Sequence, residues 1–144
     1  MVKIRKAQSG DAKELYTLLN AARELTGFDS KEAYSKSWVR DVINDQKRNV
    51  TLIAEENGKM AGLLVAHMIA GRDFILNSLF VKPTYRRKGI ATTLLSAFDA
   101  IAKRSHSKFT FSLVLPSNKK MQSFLDKHGH LKGDTMQYYY KERK

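Results

Sequence analysis

The sequence contains no cysteine, which excludes disulfides and a cysteine nucleophile and fits an intracellular, cytoplasmic protein. It has two prolines, Pro83 and Pro116, and each closes an apolar, strand-like run. No stretch of about 18 consecutive apolar residues occurs, so no membrane-spanning helix is expected. The opening Met1-Val2-Lys3-Ile4-Arg5 alternates charged and apolar residues and lacks the core of a signal peptide. Acidic residues are scarce, 14 Asp+Glu against 26 Lys+Arg, for a net charge of +12. The imbalance is lopsided: residues 1–81 hold 12 basic and 10 acidic side chains, residues 82–144 hold 14 and 4. An anionic ligand accounts for part of that excess. The remainder is either a face for an acidic partner or nucleic acid, or a plain soluble surface.

With 144 residues, 42% apolar and 28% charged, the chain reads as one globular domain, 1–144, with a single core. Residues 2–6 alternate as an edge strand. Ser9 or Asp11 then caps a helix, with Asp11-x-x-Glu14 as a capping box and Leu15, Leu18, Leu19 and Ala22 on its apolar face. Thr26-Gly27-Phe28-Asp29 breaks it. A second helix is expected over about 30–45, with Trp38, Val39, Val42 and Ile43 inward. Strands at 50–55, 60–70 and 74–82 form an antiparallel meander whose first turn, Asn57-Gly58, has the type I′ signature. A helix from Ala91 to about 103–105 buries Leu94, Leu95, Phe98, Ile101 and Ala102. A strand at 109–115 puts Phe109, Phe111, Leu113 and Leu115 on one face. Ser117 caps a short helix with Met121, Phe124, Leu125 and His128 inward and Gly129 at its end. A last strand is expected at 136–141, with or without a short one near 131–132.

The informative stretch is 76–91, a strand, a proline stop, a basic turn containing glycine, and a helix start. Gly89 has no side chain and Ala91 a small one, so little blocks approach to the turn's backbone. The first turn of a helix has amides without intrahelical acceptors and the positive end of the dipole. With Arg86, Arg87 and Lys88 around them, these donors suit a phosphate or pyrophosphate.

The pattern Arg86-x-x-Gly89-x-Ala91 after an apolar strand ending Val81-Lys82-Pro83 resembles motif A of the GNAT superfamily, the general N-acetyltransferases. The opening Ile4-Arg5-Lys6-Ala7-x-x-x-Asp11-Ala12-x-Glu14-Leu15 is also similar to that family's first strand and helix, and the element order matches over essentially the whole chain. The resemblance implies an α+β fold of three-layer type, with a mixed, mostly antiparallel sheet and helices on both faces. It implies acetyl-CoA as cosubstrate, held by Arg86, Arg87, Lys88, Gly89, Ile90, Ala91 and Thr92 at the pyrophosphate. Leu79, Phe80 and Val81 would lie along the pantetheine arm, with Leu79 N–H as an oxyanion donor, and Asn118 and Phe124 would also touch the cofactor. Phe28 is the candidate for acceptor contact, against the plainer reading of a loop residue covering the core.

Acetyl transfer to an amine requires loss of the amine proton and favours protonation of the leaving thiolate. Where the family often has a Glu base, this chain has Asn77 and Ser78. Where it often has a Tyr acid, in Phe-Tyr-x-x-x-Gly-Phe, this chain reads Phe124-Leu125-Asp126-Lys127-His128-Gly129-His130. The substitutes are Ser78, ordering a water, and Tyr138 or Tyr139 on the last strand, against a packing role for those tyrosines. His67, within an apolar strand, reads as a satisfied core residue. The four histidines have no metal-ligand spacing, and no metal is expected. The resulting expectation is direct, ternary-complex transfer from acetyl-CoA to a primary amine, a protein N-terminus or lysine. The alternatives are a non-catalytic acyl-CoA-binding module and a nucleic-acid-binding protein.

Overall fold

The computed structural model describes residues 1–22 and 33–143. The chain divides into two compact units, Met1–Leu113 and Val114–Lys144.

The first unit is built on a five-stranded sheet in the order β1-β2-β3-β4-β5: β1 Val2–Lys6, β2 Asn49–Glu56, β3 Lys59–Met68, β4 Phe74–Val81 and β5 Thr110–Ser112. The first four strands are antiparallel neighbours and β5 is parallel to β4. This is an α+β fold with a mixed sheet. The meander follows its turn chemistry: Asn57 (φ 53) and Gly58 (φ 76) both take the left-handed values that a type I′ turn needs.

Alternation sorts the sheet's side chains onto two faces. On one face, Ile53, Leu63 and Val65 form a buried cluster with Leu15 and Leu19 of α1 (Ala12–Ala21) and with Val39, Val42 and Ile43 of α2 (Lys36–Asn44). Thr51, fully buried, satisfies its hydroxyl by donating to the Val42 carbonyl at 2.6 Å. The other face packs on α3 (Ile90–Arg104), where the Phe98 ring stands edge-on to Phe74 at 5.4 Å. Leu94, Leu95, Phe98 and Ala102 are buried as the helical spacing predicts.

Three local expectations need correction. Asp11 does not box with Glu14. Its carboxylate turns back to accept from the Gln8 N–H at 2.7 Å and from both Arg5 Nη atoms at 2.8 and 2.9 Å, while Glu14 pairs with Lys82 Nζ at 2.9 Å. Arg5 also reaches Glu55 through Nε at 2.7 Å, so one guanidinium ties β1 to the start of α1 and to β2. That pairing holds the Asp11 carboxyl below its ordinary value, so its stabilisation is present above the usual carboxylate range and is lost as acidification proceeds through the lowered pKa. The second helix is shorter than expected: Ser35 Oγ accepts from Trp38 N–H at 3.1 Å and starts it at Lys36. The expected strand at 109–115 is only Thr110–Ser112. Its ladder with β4 stops at Ser112, and Phe109, Phe111, Leu113 and Leu115 are exposed.

The second unit contains α4 (Lys119–Lys127). Asn118, not Ser117, is its N-cap, with the side-chain oxygen accepting from Met121 N–H at 3.2 Å. The helix closes as expected at Gly129: His130 N–H donates to Leu125 O and Gly129 N–H to Asp126 O. The expected strand at 136–141 and the short one near 131–132 are absent. Residues 130–143 form no strand, and Met136, Tyr138, Tyr139 and Tyr140 are exposed. Their alternation is strand-like, but among the described residues no ladder includes them, and a strand exists only where its backbone has a partner.

Gly62 of β3 sets how closely β3 and β4 approach. A Cβ there would lie 2.7 Å from the Phe80 carbonyl oxygen and 3.3 Å from Val81 Cα. Gly62→Ala should therefore lower stability by about 1–3 kcal/mol in urea unfolding, the usual range for overpacking. An unchanged or raised midpoint would show that the two strands can part freely.

Candidate active site

β4 has two neighbours at its start and one at its end. Phe74, Ile75 and Leu76 pair with Thr110, Phe111 and Ser112, after which β5 stops, while β4 continues along β3 to Val81. The stretch Asn77–Val81 thus has one edge without a ladder among the described residues. The fork opens at an irregularity on the other side. Val65 pairs with Ser78 and Ala66 with Leu76, so Asn77 is an extra residue, a β-bulge. Asn77 is exposed and its amide donates to Ser78 Oγ at 2.8 Å. Ser78 is buried on the α1/α2 face, next to Val65. Across the fork's base, Ser112 Oγ is buried with no hydrogen-bond partner among the described residues.

After β4 the chain makes a 3-10 turn at Pro83–Tyr85 and enters α3 through a tightly folded link. Arg87 (φ 65) and Gly89 (φ 74) are both left-handed, which swings successive amides toward a common side. The first backbone bond of α3 runs from Thr93 N–H to Gly89 O at 3.0 Å, so Gly89, Ile90 and Ala91 contribute amides that precede the helical ladder. A Cβ at Gly89 would have no heavy atom within 4 Å, so the space above it is open.

The basic side chains around this turn divide their tasks. Arg86 Nε donates to the Val81 carbonyl at 2.8 Å, and its guanidinium lies 5.4 Å from the Phe80 ring centroid, which fastens the turn to the end of β4. Lys88 lies over Tyr85 at 5.6 Å and 3.5 Å from Glu56 Oε2. Arg87 is exposed. Leu79 and Val81 are buried on the α3 face, and Phe80 is half-buried on the other. Thus β4 carries Ser78, Leu79, Phe80 and Val81, and the link and first turn of α3 that follow it carry Arg86, Arg87, Lys88, Gly89, Ile90, Ala91 and Thr92.

The other expected residues stand differently. In the second unit, Asn118 spends its side-chain oxygen on the α4 cap, Phe124 stacks at 4.2 Å on His128, and Tyr138 and Tyr139 are exposed. Leu125, at the position where the resembled pattern has Tyr, is buried. Phe28 lies outside the described residues. Among the described residues, no group of acidic and histidine side chains could hold a metal ion.

One further residue of β3 has a well-defined polar setting. His67 of β3 pairs with Ile75 and shares its sheet face with Ser78, one strand from the fork. It is half-buried, and Trp38 meets its ring edge-on at 5.6 Å. Its Nδ1 lies 2.6 Å from Asn49 Oδ1. The Asn49 amide nitrogen is committed to Asp45 O at 3.0 Å, so the oxygen faces the ring and His67 Nδ1 must carry the proton. The lone pair is then on Nε2, which has no partner among the described residues. Burial lowers the pKa below the ordinary histidine value and keeps the ring neutral near pH 7. The facing groups, Asn49, Trp38 and Ile75, are uncharged. Nothing local signals this arrangement, because Asn49 is 18 residues away.

Residues 12–130 match the family described as Acetyltransferase (GNAT) family. The chain is 31% identical over 136 residues to an uncharacterized N-acetyltransferase, YhfO, of Bacillus subtilis (strain 168), covering 88% of each protein. It superposes with a TM-score of 0.84 on a possible acetyltransferase from Clostridium difficile 630, at 18% identity over 100% of this chain and 99% of that one. It also superposes, with a TM-score of 0.74, on the PaiA N-acetyltransferase from Thermoplasma acidophilum in complex with coenzyme A. There the identity is 26%, over 94% and 93% of the two chains. The chain belongs to the GNAT acetyltransferase family and is an N-acetyltransferase. No helix among the described residues is long and apolar enough to cross a membrane.

Because the left-handed Gly89 sits in open space, Gly89→Ala should cost only the conformational strain, about 1–2 kcal/mol. A loss well above that in thermal or urea unfolding would mean the turn is packed more tightly than described.

Proposed function

We propose that the chain, as one catalytic domain over 1–144, transfers an acetyl group from acetyl-CoA directly to a primary amine. The observation that carries this reading is the continuity of two features. An open run of amides leads into α3, and among the described residues no strand pairs with the outer β4 edge from Asn77 to Val81. The residues fit the cosubstrate: amides and the positive Arg87 and Lys88 for a diphosphate, no side chain over Gly89, and a bare strand edge for an amide-containing arm. Coenzyme A in the PaiA structure supports the same assignment. Arg86 would act mainly by holding the turn onto β4. Ser78, Tyr138 and Tyr139 remain candidates for proton relay.

Acetyl-CoA supplies the acetyl group as an activated thioester. Of the described groups on the Ser78 face, His67 Nε2 is the best placed to accept the amine proton, directly or through water. The amine nitrogen then bonds to the acetyl carbon, the carbon–sulfur bond breaks, and the surplus proton on that nitrogen passes to the departing thiolate, leaving the amide and free coenzyme A. The base also constrains the acceptor. Even from the ordinary histidine value of 6.5, deprotonating a lysine ammonium is uphill by about 5 kcal/mol, against about 2 kcal/mol for an α-amine. Burial lowers the histidine pKa and widens both gaps. We therefore infer that the acceptor is an α-amine or another amine of low pKa, such as a protein N-terminus. The charge excess after residue 81 favours an acceptor segment that is neutral or acidic.

Three outcomes are expected. Gly89→Glu should abolish coenzyme A binding by calorimetry while cooperative unfolding is retained; unchanged affinity would remove the binding assignment. His67→Gln should lower kcat by about 10²–10⁴-fold, the usual range for a general base, with coenzyme A affinity intact. It should also remove an acidic limb from the pH–rate profile; a profile that keeps this limb would rule out His67. A peptide with a free N-terminus should be acetylated faster than the same peptide with only a lysine amine free, and equal rates would remove the α-amine preference.

A further inference from the structure

The two acidic residues that end β2 are used differently. Glu55 accepts from Arg5 Nε at 2.7 Å, which ties it to the corner where β1 turns into α1. The carboxylate of Glu56 has one polar contact among the described residues: Lys88 Nζ lies 3.5 Å from its Oε2. The Glu56 side chain is only 16% exposed, whereas that of Lys88 is 52% exposed. A carboxylate removed from most of its water needs a cation nearby. The cation it has is on the turn assigned to the diphosphate.

Backbone contacts fix the place of Glu56. It pairs with Val2 on one side and with Lys59 on the other, and the two-residue turn Asn57-Gly58 follows it. Across the hairpin, Ala61 is an extra residue, because Ala54 pairs with Gly62 and Glu55 with Met60. The Ala61 carbonyl accepts from Lys82 N–H at 2.8 Å, where β4 ends and the turn toward α3 begins. The β2–β3 hairpin and that turn are thus fastened to each other. Lys88 is different. Its charge rides on a flexible four-carbon stem, with the amine over the Tyr85 ring at 5.6 Å.

We propose, on the coenzyme-binding reading above, that Glu56 competes with the diphosphate of coenzyme A for Lys88. With the turn empty, Glu56 holds the amine toward the hairpin. A diphosphate on the amides of Gly89, Ile90 and Ala91 draws the amine to itself and leaves the Glu56 carboxylate without its counter-ion. When the coenzyme departs, the original pair forms again. Glu56 is therefore a positioning residue that acts through Lys88 and works against binding. Coenzyme A is held less tightly than the amides and cations of the turn alone would allow, and it leaves faster. Such a limit suits an enzyme that must discharge coenzyme A in every cycle, since product release often sets turnover.

Calorimetry with coenzyme A on the full chain tests this. Glu56→Gln should bind roughly two- to fivefold more tightly, about what ion pairs of this exposure contribute. Stopped-flow displacement should show the gain as slower release. Lys88→Gln should bind more weakly than the parent protein, and adding Glu56→Gln to it should change nothing further, because the contested amine is gone. Should Glu56→Gln fail to unfold cooperatively, Glu56→Asp, which draws the carboxylate back by one methylene, carries the same test and should also tighten binding. Unchanged or weaker binding on substitution of Glu56 would overturn the proposal. So would a gain that persists in full in the Lys88→Gln background, which would make Glu56 a repulsive charge independent of Lys88. A protein whose affinity is lost with Gly89→Glu but does not respond at Glu56 keeps the coenzyme-binding reading and loses only the role of Glu56. A parent protein that binds no coenzyme A loses both.

Discussion

The first unit is governed by one asymmetry in hydrogen bonding. β4 keeps its ladder to β3 throughout, but its ladder to β5 ends at Leu76. A strand deep in a sheet would normally satisfy both edges. Here the backbone from Asn77 onward is held by β3 on one side and, among the described residues, has no partner strand on the other, which suits it to receive an extended ligand. Other features keep that stretch in place. Gly62 lets β3 approach closely, and Arg86 fastens the following turn to the Val81 carbonyl. Lys82 N–H donates to Ala61 O, and its amine pairs with Glu14 of α1. The rigid partner strand and the open edge are two sides of one backbone, so binding geometry is inherited from the core.

Charge plays a local role and a regional one. Locally, Arg5 makes two parallel bonds to Asp11 and a third to Glu55, a geometry that lysine could not reproduce. It orders the corner where β1 turns into α1. Regionally, the basic excess lies after residue 81, and Arg86, Arg87 and Lys88 put part of it on the turn that leads into α3. The net charge bears on which molecules approach, while the fold rests on the two apolar faces of the sheet.

Much of this was readable from residue order. The helical faces of α1, α2 and α3, the Asn57-Gly58 turn and the Arg86–Ala91 link all depend on neighbours within a few positions, so their signals survive in a bare sequence. The failures share a cause. Phe109 to Leu115 and residues 136–141 alternate convincingly, yet a strand needs a partner backbone, and alternation does not name one. The length of β5 is set by where β4 stops pairing. The setting of His67 is likewise non-local, since Asn49 and Trp38 are brought to it by the meander and by α2. The exchange of Ser117 for Asn118 as a cap is a boundary shift of one residue, within the normal ambiguity of helix ends.

The bulge has a consequence for how the chain tolerates change. Before it, Ile75 points to the α1/α2 side and Leu76 to α3; after it, Ser78 and Leu79 resume the same order, as their partners Val65 and Leu64 require. Asn77 is thus the one position in β4 whose removal would leave every core side chain on its own side of the sheet. Selection for a well-packed interior has no use for this residue. The extra residue sits where the β5 ladder ends, so a β4 shortened there would lose the irregularity at the fork and keep the packed interior.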